Sequence, residues 1–307
     1  MLICVAPESC YNLALIYSIG LNHSTSKTLV FDRPKAPVKI LTYILGVPLE
    51  NAADDYAKFF APRIVGGADA PEAYAPHMAA LIIGDDFKYL SCGGSIVSPN
   101  LIMSAAHCID IFVVWGKLLP SFHAVVGSNN WNATDITVHF KGFHVHPGWD
   151  ITTVMNDIGF LVLNETLKMT DKVAVIGLNI NWVGGREKSF VTGWGRLLDN
   201  GITPYKLQLL YLETISSREC IDGVRAAANK LNLWAPPVKL KKEICTFHSE
   251  GHGMCNGDSG SGLVSIKTNR QIGIVSWGFP CAIGAPDVFV RISGYKCYIK
   301  KIINKYS

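Results

Sequence analysis

Cleaving an amide at neutral pH takes a nucleophile, a base to accept its proton, a group that orients the base, and donors for the developing oxyanion. This sequence offers a candidate for each. Ser259 lies in Gly257-Asp258-Ser259-Gly260, a glycine-rich turn where missing side chains let the backbone N–H groups of Gly257 and Ser259 converge on one spot. His107, within Ser104-Ala105-Ala106-His107-Cys108, is a candidate base, and Asp157, within Asn156-Asp157-Ile158-Gly159, a candidate orienting carboxylate. Taken singly, each motif reads equally well as a turn, surface or core segment without activity.

Company decides between those readings. The order along the chain is His, Asp, Ser, and further motifs stand around it: Arg63-Ile64-Val65-Gly66-Gly67, Cys92-Gly93-Gly94-Ser95, Thr192-Gly193-Trp194-Gly195 and Ser276-Trp277-Gly278. From Ile64 to about residue 303 the chain resembles the trypsin/chymotrypsin family of serine peptidases. The resemblance implies that His107 acts as base and then acid, that Asp157 fixes its tautomer, and that Ser259 forms an acyl-enzyme. It implies an oxyanion hole from Gly257 and Ser259, and substrate pairing along Ser276, Trp277 and Gly278. It also implies disulfides Cys92–Cys108, Cys220–Cys245 and Cys255–Cys281, which leaves Cys4, Cys10 and Cys297 over. Cys297, on an apolar-rich helix, is expected to be a buried free thiol.

The Arg63-Ile64 junction implies activation by cleavage. A cut after Arg63 would give Ile64 an ammonium, which in the family turns inward to a buried carboxylate, here Asp258. Gly253, at the base of the implied side-chain pocket, stands where an aspartate would mean a trypsin-like enzyme. The family's glycine on the opposite wall is instead Asp287, and Met254 beside the floor is apolar. Arthropod chymotrypsin-like and collagenase-like enzymes share this Gly-plus-Asp pattern, which implies preference for large apolar side chains with broad tolerance.

These residues need a scaffold that brings distant segments together. From Ile64 onward, short apolar runs such as Met78 to Ile83, Asp157 to Leu163, Phe190 to Gly195 and Ile272 to Gly278 alternate with Gly, Pro and Asn. That pattern predicts an all-β fold. With the resemblance it becomes two packed antiparallel β-barrels, about 64–180 and 181–292. At the end, Tyr295, Tyr298, Ile299, Ile302 and Ile303 recur at helical spacing between lysines, predicting an amphipathic C-terminal α-helix over about 294–305. Residues 1–63 read as a pro-region; their apolar stretch Leu13 to Leu21 follows Glu8 and makes a poor or misplaced signal peptide.

The formal charge of +4 is dispersed, and the run Lys239 to Lys242 is short, so a nucleic-acid partner is not expected. No segment reaches the roughly 20 apolar residues that span a bilayer, so no membrane partner is expected. Nine cysteines without Cys-x-x-Cys spacing suit disulfides in an oxidising, extracellular setting, and sequons at Asn22, Asn132 and Asn164 agree with secretion. His139, His144 and His146 could suggest a metal cluster, but they read better as surface or strand histidines, the loop where some family members bind calcium lacks the expected acidic residues, and neither metal nor cofactor is expected. The implied partners of a monomeric enzyme are protein or peptide substrates, an activating trypsin-like protease and protein protease inhibitors. The competing readings are a catalytically impaired homologue acting as a binding or cofactor protein, and an extracellular structural glycoprotein. The first must reckon with a complete set of three catalytic candidates, and the second leaves Arg63 before Ile-Val-Gly-Gly unexplained.

Overall fold

The computed structural model describes residues 64–133, 136–199, 201–279 and 281–306. The expectations for residues 1–63, among them Arg63, Cys4, Cys10 and the sequon at Asn22, lie outside the described residues. The described chain is all-β. Its first half is a closed barrel of Met78–Ile83 (β1), Tyr89–Ser98 (β2), Leu101–Ser104 (β3), Phe122–Val126 (β4), Thr137–Val145 (β5) and Gly159–Leu163 (β6), ordered β1-β2-β3-β6-β5-β4. Strands β3, β4 and β6 are buried at every position, which is why they read as continuous apolar runs; β5 alternates between exposed and half-buried over its first half. Phe160, Leu161, Leu101 and Ile102 are sealed from solvent, and each such side chain contributes about 1.5–3 kcal/mol by leaving water.

The second half holds Lys188–Gly193 (β7), Gln208–Glu213 (β8), Glu243–Thr246 (β9), Gly262–Ser265 (β10), Arg270–Trp277 (β11) and Asp287–Arg291 (β12), paired β8-β7-β10-β11-β12-β9. The short pair Ala68–Asp69 extends the β8 edge, and Gly177–Leu178 adds to β11 in parallel, an exception to the expected antiparallel pattern. The two ends of this ladder meet through a single antiparallel bridge, Thr214 to Thr246, flanked by Ile215 N donating to Cys245 O at 2.9 Å and Phe247 N to Glu213 O at 3.3 Å, so the second barrel is closed more loosely than the first.

Among the described residues three α-helices accompany the sheets. Ala106–Asp110 (α1) is a single turn directly after β3. Ser217–Leu231 (α2) was not expected from the sequence, although its signals are present. Ser216 and Glu219 form a reciprocal capping box, Cys220, Val224 and Ala227 make the buried stripe, and Asn232 ends the helix in a left-handed conformation. The Cys220–Cys245 disulfide ties it to β9. Lys296–Tyr306 (α3) follows a 3-10 turn over Ile292–Tyr295, so the expected terminal helix starts two residues later than anticipated. It buries Ile299 and Ile302 and docks on the first barrel through Tyr298 against Phe160 and the Tyr306 hydroxyl on His144.

Cys297 is a correction. It is free, but it is exposed, because the face of α3 that packs inward is the one carrying Ile299 and Ile302. The other cysteines of the described chain are joined as Cys92–Cys108, Cys220–Cys245 and Cys255–Cys281.

Candidate active site

The site is built where α1, the loop before β6, and the turn between β9 and β10 meet. Helix α1 turns Ala106, Cys108 and Ile109 into the core and leaves His107 facing outward, its side chain 29% exposed. Asp157 is fully enclosed. Its Oδ2 lies 2.8 Å from His107 Nδ1, and its Oδ1 accepts the His107 backbone N–H at 2.9 Å. This two-point grip fixes both the ring and the helix turn that carries it. Ser276 Oγ donates to the same Oδ2 at 2.6 Å. That bond could not be read from sequence, because it joins residues on different halves of the chain; the sequence assigned Ser276 only to the substrate edge.

Asp157 is aimed by its neighbours. Asn156 adopts a left-handed backbone, donates from Nδ2 to Gly148 O at 2.6 Å, and accepts from Tyr295 Oη at 3.2 Å. Burial disfavours a charged His107, but the charge and hydrogen bond of Asp157 outweigh it and hold the imidazole above its ordinary pKa.

Ser259 is half-buried, in a turn pressed against the segment leading into α1. Its carbonyl accepts from Gly93 N at 2.7 Å, beside the Cys92–Cys108 disulfide. A Cβ on Gly260 would stand 2.1 Å from Ser104 Oγ and 2.3 Å from Gly93 O, so only glycine lets the turn come this close. The Ser259 hydroxyl makes no hydrogen bond to His107, whose Nε2 lies 3.5 Å from Cys108 Sγ. Such a bond commonly tightens only once substrate is bound. The N–H groups of Gly257 and Ser259 take part in none of the hydrogen bonds among the described residues.

Behind the turn, Asp258 is sealed from solvent and accepts from Gly195 N at 2.8 Å and Cys255 N at 3.0 Å. With burial outweighing these two bonds, its pKa rises to about 7. Ile64 is also fully buried and shares an apolar cluster with Met254, and Val65 O accepts from Gly253 N at 3.2 Å.

The residues expected to form the side-chain pocket lie together. Asp287 opens β12 and is 8% exposed. Its Oδ2 accepts from Met254 N at 3.2 Å and lies 2.9 Å from where a Cβ on Gly253 would stand; its Oδ1 lies 3.5 Å from that of Gly278. Burial first, and the Asp258 charge last, push its pKa up to about 8 against the pull of the Met254 bond. The Met254 side chain points into the apolar cluster, so what reaches Asp287 is its backbone N–H. Next to it, Ser276–Gly278 has an edge that no other strand of the described residues occupies. Strand β10 pairs with β11 only as far as Ile274, and Trp277 is paired on its other side to Val288 of β12.

The histidines set aside as metal ligands are engaged elsewhere. His144 Nε2 meets Tyr306 Oη at 2.8 Å, His146 Nδ1 accepts from Gly148 N at 3.0 Å, and His139 packs against His123. Among the described residues the one cluster with ligand spacing is Cys92, His107 and Cys108, whose two sulfurs are bonded to each other.

Comparison with known proteins identifies the family. Residues 64–299 match the family model described as Trypsin. Chymotrypsin-2 of Vespa crabro is 34% identical over 239 residues, covering 78% of this chain and 99% of that protein. Brachyurin of Leptuca pugilator is 33% identical over 244 residues, covering 77% and 97%. Trypsin delta of Drosophila melanogaster is 29% identical over 239 residues, covering 77% and 87%. The chain belongs to the trypsin family and is a serine endopeptidase.

Proposed function

We propose that this endopeptidase works through Ser259, His107 and Asp157, is secreted as an inactive precursor, and is switched on by cleavage after Arg63. The observation that carries the catalytic reading is the doubly anchored Asp157–His107 pair. With Nδ1–H committed to Asp157, the lone pair of the neutral ring is on Nε2, the atom that would take the Ser259 proton. Attack by Ser259 Oγ on the scissile carbonyl gives a tetrahedral oxyanion, for which the unengaged N–H groups of Gly257 and Ser259 are the available donors. Collapse expels the amine, which takes its proton from His107, and leaves an acyl-enzyme; water, deprotonated by the same histidine, then releases the acid.

Asp258 supports the activation step. It is a buried carboxylate held by two N–H groups, with no cation at ion-pair distance among the described residues. An ammonium on Ile64, whose side chain is already seated in the Met254 cluster, would supply the missing charge. The activating enzyme would be one that cuts after arginine. A monomer acting on extracellular protein, and checked by protein inhibitors, is the matching setting.

Asp287 supports a mixed specificity. A carboxyl with its pKa near 8 is mostly neutral at neutral pH, so the pocket accepts large apolar side chains, while a Lys or Arg entering it would draw the carboxyl into ionising. Treating the precursor with trypsin tests the whole reading. The expected product begins Ile-Val-Gly-Gly and cleaves peptides after Phe, Tyr or Leu. A product with that terminus and no peptidase activity would contradict it.

A further inference from the structure

We infer that Glu243 is a positioning residue for substrate selection: its buried carboxylate locks the indole of Trp277, against which side chains N-terminal to the pocket residue of the substrate are read. This deepens the proposed function and rests on Ser276–Gly278 being the edge that the substrate joins.

Glu243 opens β9 and is 7% exposed. One carboxylate oxygen accepts from Trp277 Nε1 at 2.9 Å and the other from Lys239 N at 2.5 Å. Two N–H donors facing two oxygens require a carboxylate. A glutamine, or a protonated acid, would turn a donor of its own toward one of them. Among the described residues no ion pair holds Glu243 in place. The Arg291 guanidinium is spent on carbonyls, including that of Glu243 itself at 3.0 Å, and Lys242 lies over the Tyr295 ring and donates to Gly294 O. The bond from Trp277 is therefore one of the two hydrogen bonds that the buried carboxylate accepts among the described residues, beside the Lys239 charge. Burial, its largest influence, raises the Glu243 carboxyl above the ordinary range.

Trp277 is half-buried between two residues of the site: Ser276 donates to Asp157, and Gly278 borders Asp287. Its indole packs on the cluster of Cys245 and Val288. An indole beside a free strand edge has two side-chain torsions to settle, and the bond to Glu243 settles them before substrate arrives. An extended peptide added along that edge then meets a fixed apolar wall, whereas a single-residue ester, ending at the pocket, does not reach it.

The test compares processed parent, Glu243→Gln, Trp277→Phe and the double variant on a tetrapeptide amide with a bulky apolar residue two positions before the scissile bond, and on a single-residue ester. Glu243→Gln should raise KM for the peptide about fivefold to tenfold, as expected for one hydrogen bond, with kcat and ester hydrolysis changed by less than about twofold. Trp277→Phe, which removes the indole N–H, should raise peptide KM as well, and adding Glu243→Gln to it should raise it no further. An unchanged peptide-to-ester ratio in Glu243→Gln, or a full effect persisting in the Trp277→Phe background, would overturn the inference. If the glutamine variant does not fold, Glu243→Asp, too short to span both donors, is read by the same ratio with the same two outcomes. A parent with no KM advantage for long over short peptides overturns the strand-edge reading itself, and the inference with it.

Discussion

At the scale of single residues, two carboxylates do opposite things because their surroundings differ. Asp157 spends its oxygens on His107 and Ser276, and against burial its charge and hydrogen bond raise the His107 pKa. Since only the neutral ring accepts a proton, activity should fall with falling pH through a His107 pKa above the ordinary value. Asp157→Asn should cost about 10⁴-fold in kcat by favouring the wrong tautomer, measured on a short ester with the fold checked by circular dichroism. A loss under tenfold would remove Asp157 from the mechanism. Asp287, by contrast, has one hydrogen bond to offset burial and titrates near pH 8. Cleavage after Lys or Arg, relative to Phe, should therefore rise as pH passes from about 7 to 9. Asp287→Gly should abolish that rise and raise kcat/KM on Phe, Tyr and Leu; matched peptides decide it, and an unchanged profile would mean that the carboxylate plays no part in selection.

At the scale of elements, the strands were legible because their apolar runs are short and bounded by turn residues, as with Met78–Ile83 and Arg270–Trp277. Helix α2 was not, since its mean polarity and central Gly223 mask a three-residue buried stripe; the Ser216/Glu219 box was the signal to weigh. Ser216→Ala should cost about 1 kcal/mol of stability, seen as a lower Tm, with kcat/KM unchanged because α2 carries no site residue. An unchanged Tm would show that the box does not anchor the helix. The candidate triad was legible through its motifs. What sequence could not show were contacts made only in three dimensions: Ser276 on Asp157, Tyr295 on Asn156, and Glu243 on Trp277. The exposure of Cys297 belongs here too, because an apolar-rich helix still has an outer face.

For the whole molecule, the proposed activation ties the buried acids to stability. Asp258 and Asp287 hold protons up to about pH 7 and 8 when folded, whereas an unfolded aspartate releases its proton near pH 4. Between those limits the folded chain binds more protons than the unfolded one, so stability is highest below about pH 4 from this source and declines as pH rises toward 8. An ammonium at Ile64 lowers the Asp258 value and removes its share of the decline. In a Ser259→Ala background, which prevents self-digestion, uncut protein should lose more Tm between about pH 5 and 8 than protein cut after Arg63; equal slopes would contradict the pairing of Ile64 with Asp258. The central claim, a peptidase acting through Ser259 with His107 as its base, is tested most directly by fluorophosphonate labelling of the processed enzyme followed by peptide mapping. The account predicts one adduct, on Ser259, lost in Ser259→Ala and slowed at least about 10³-fold in His107→Ala; an adduct on another residue, or labelling indifferent to His107, would contradict it.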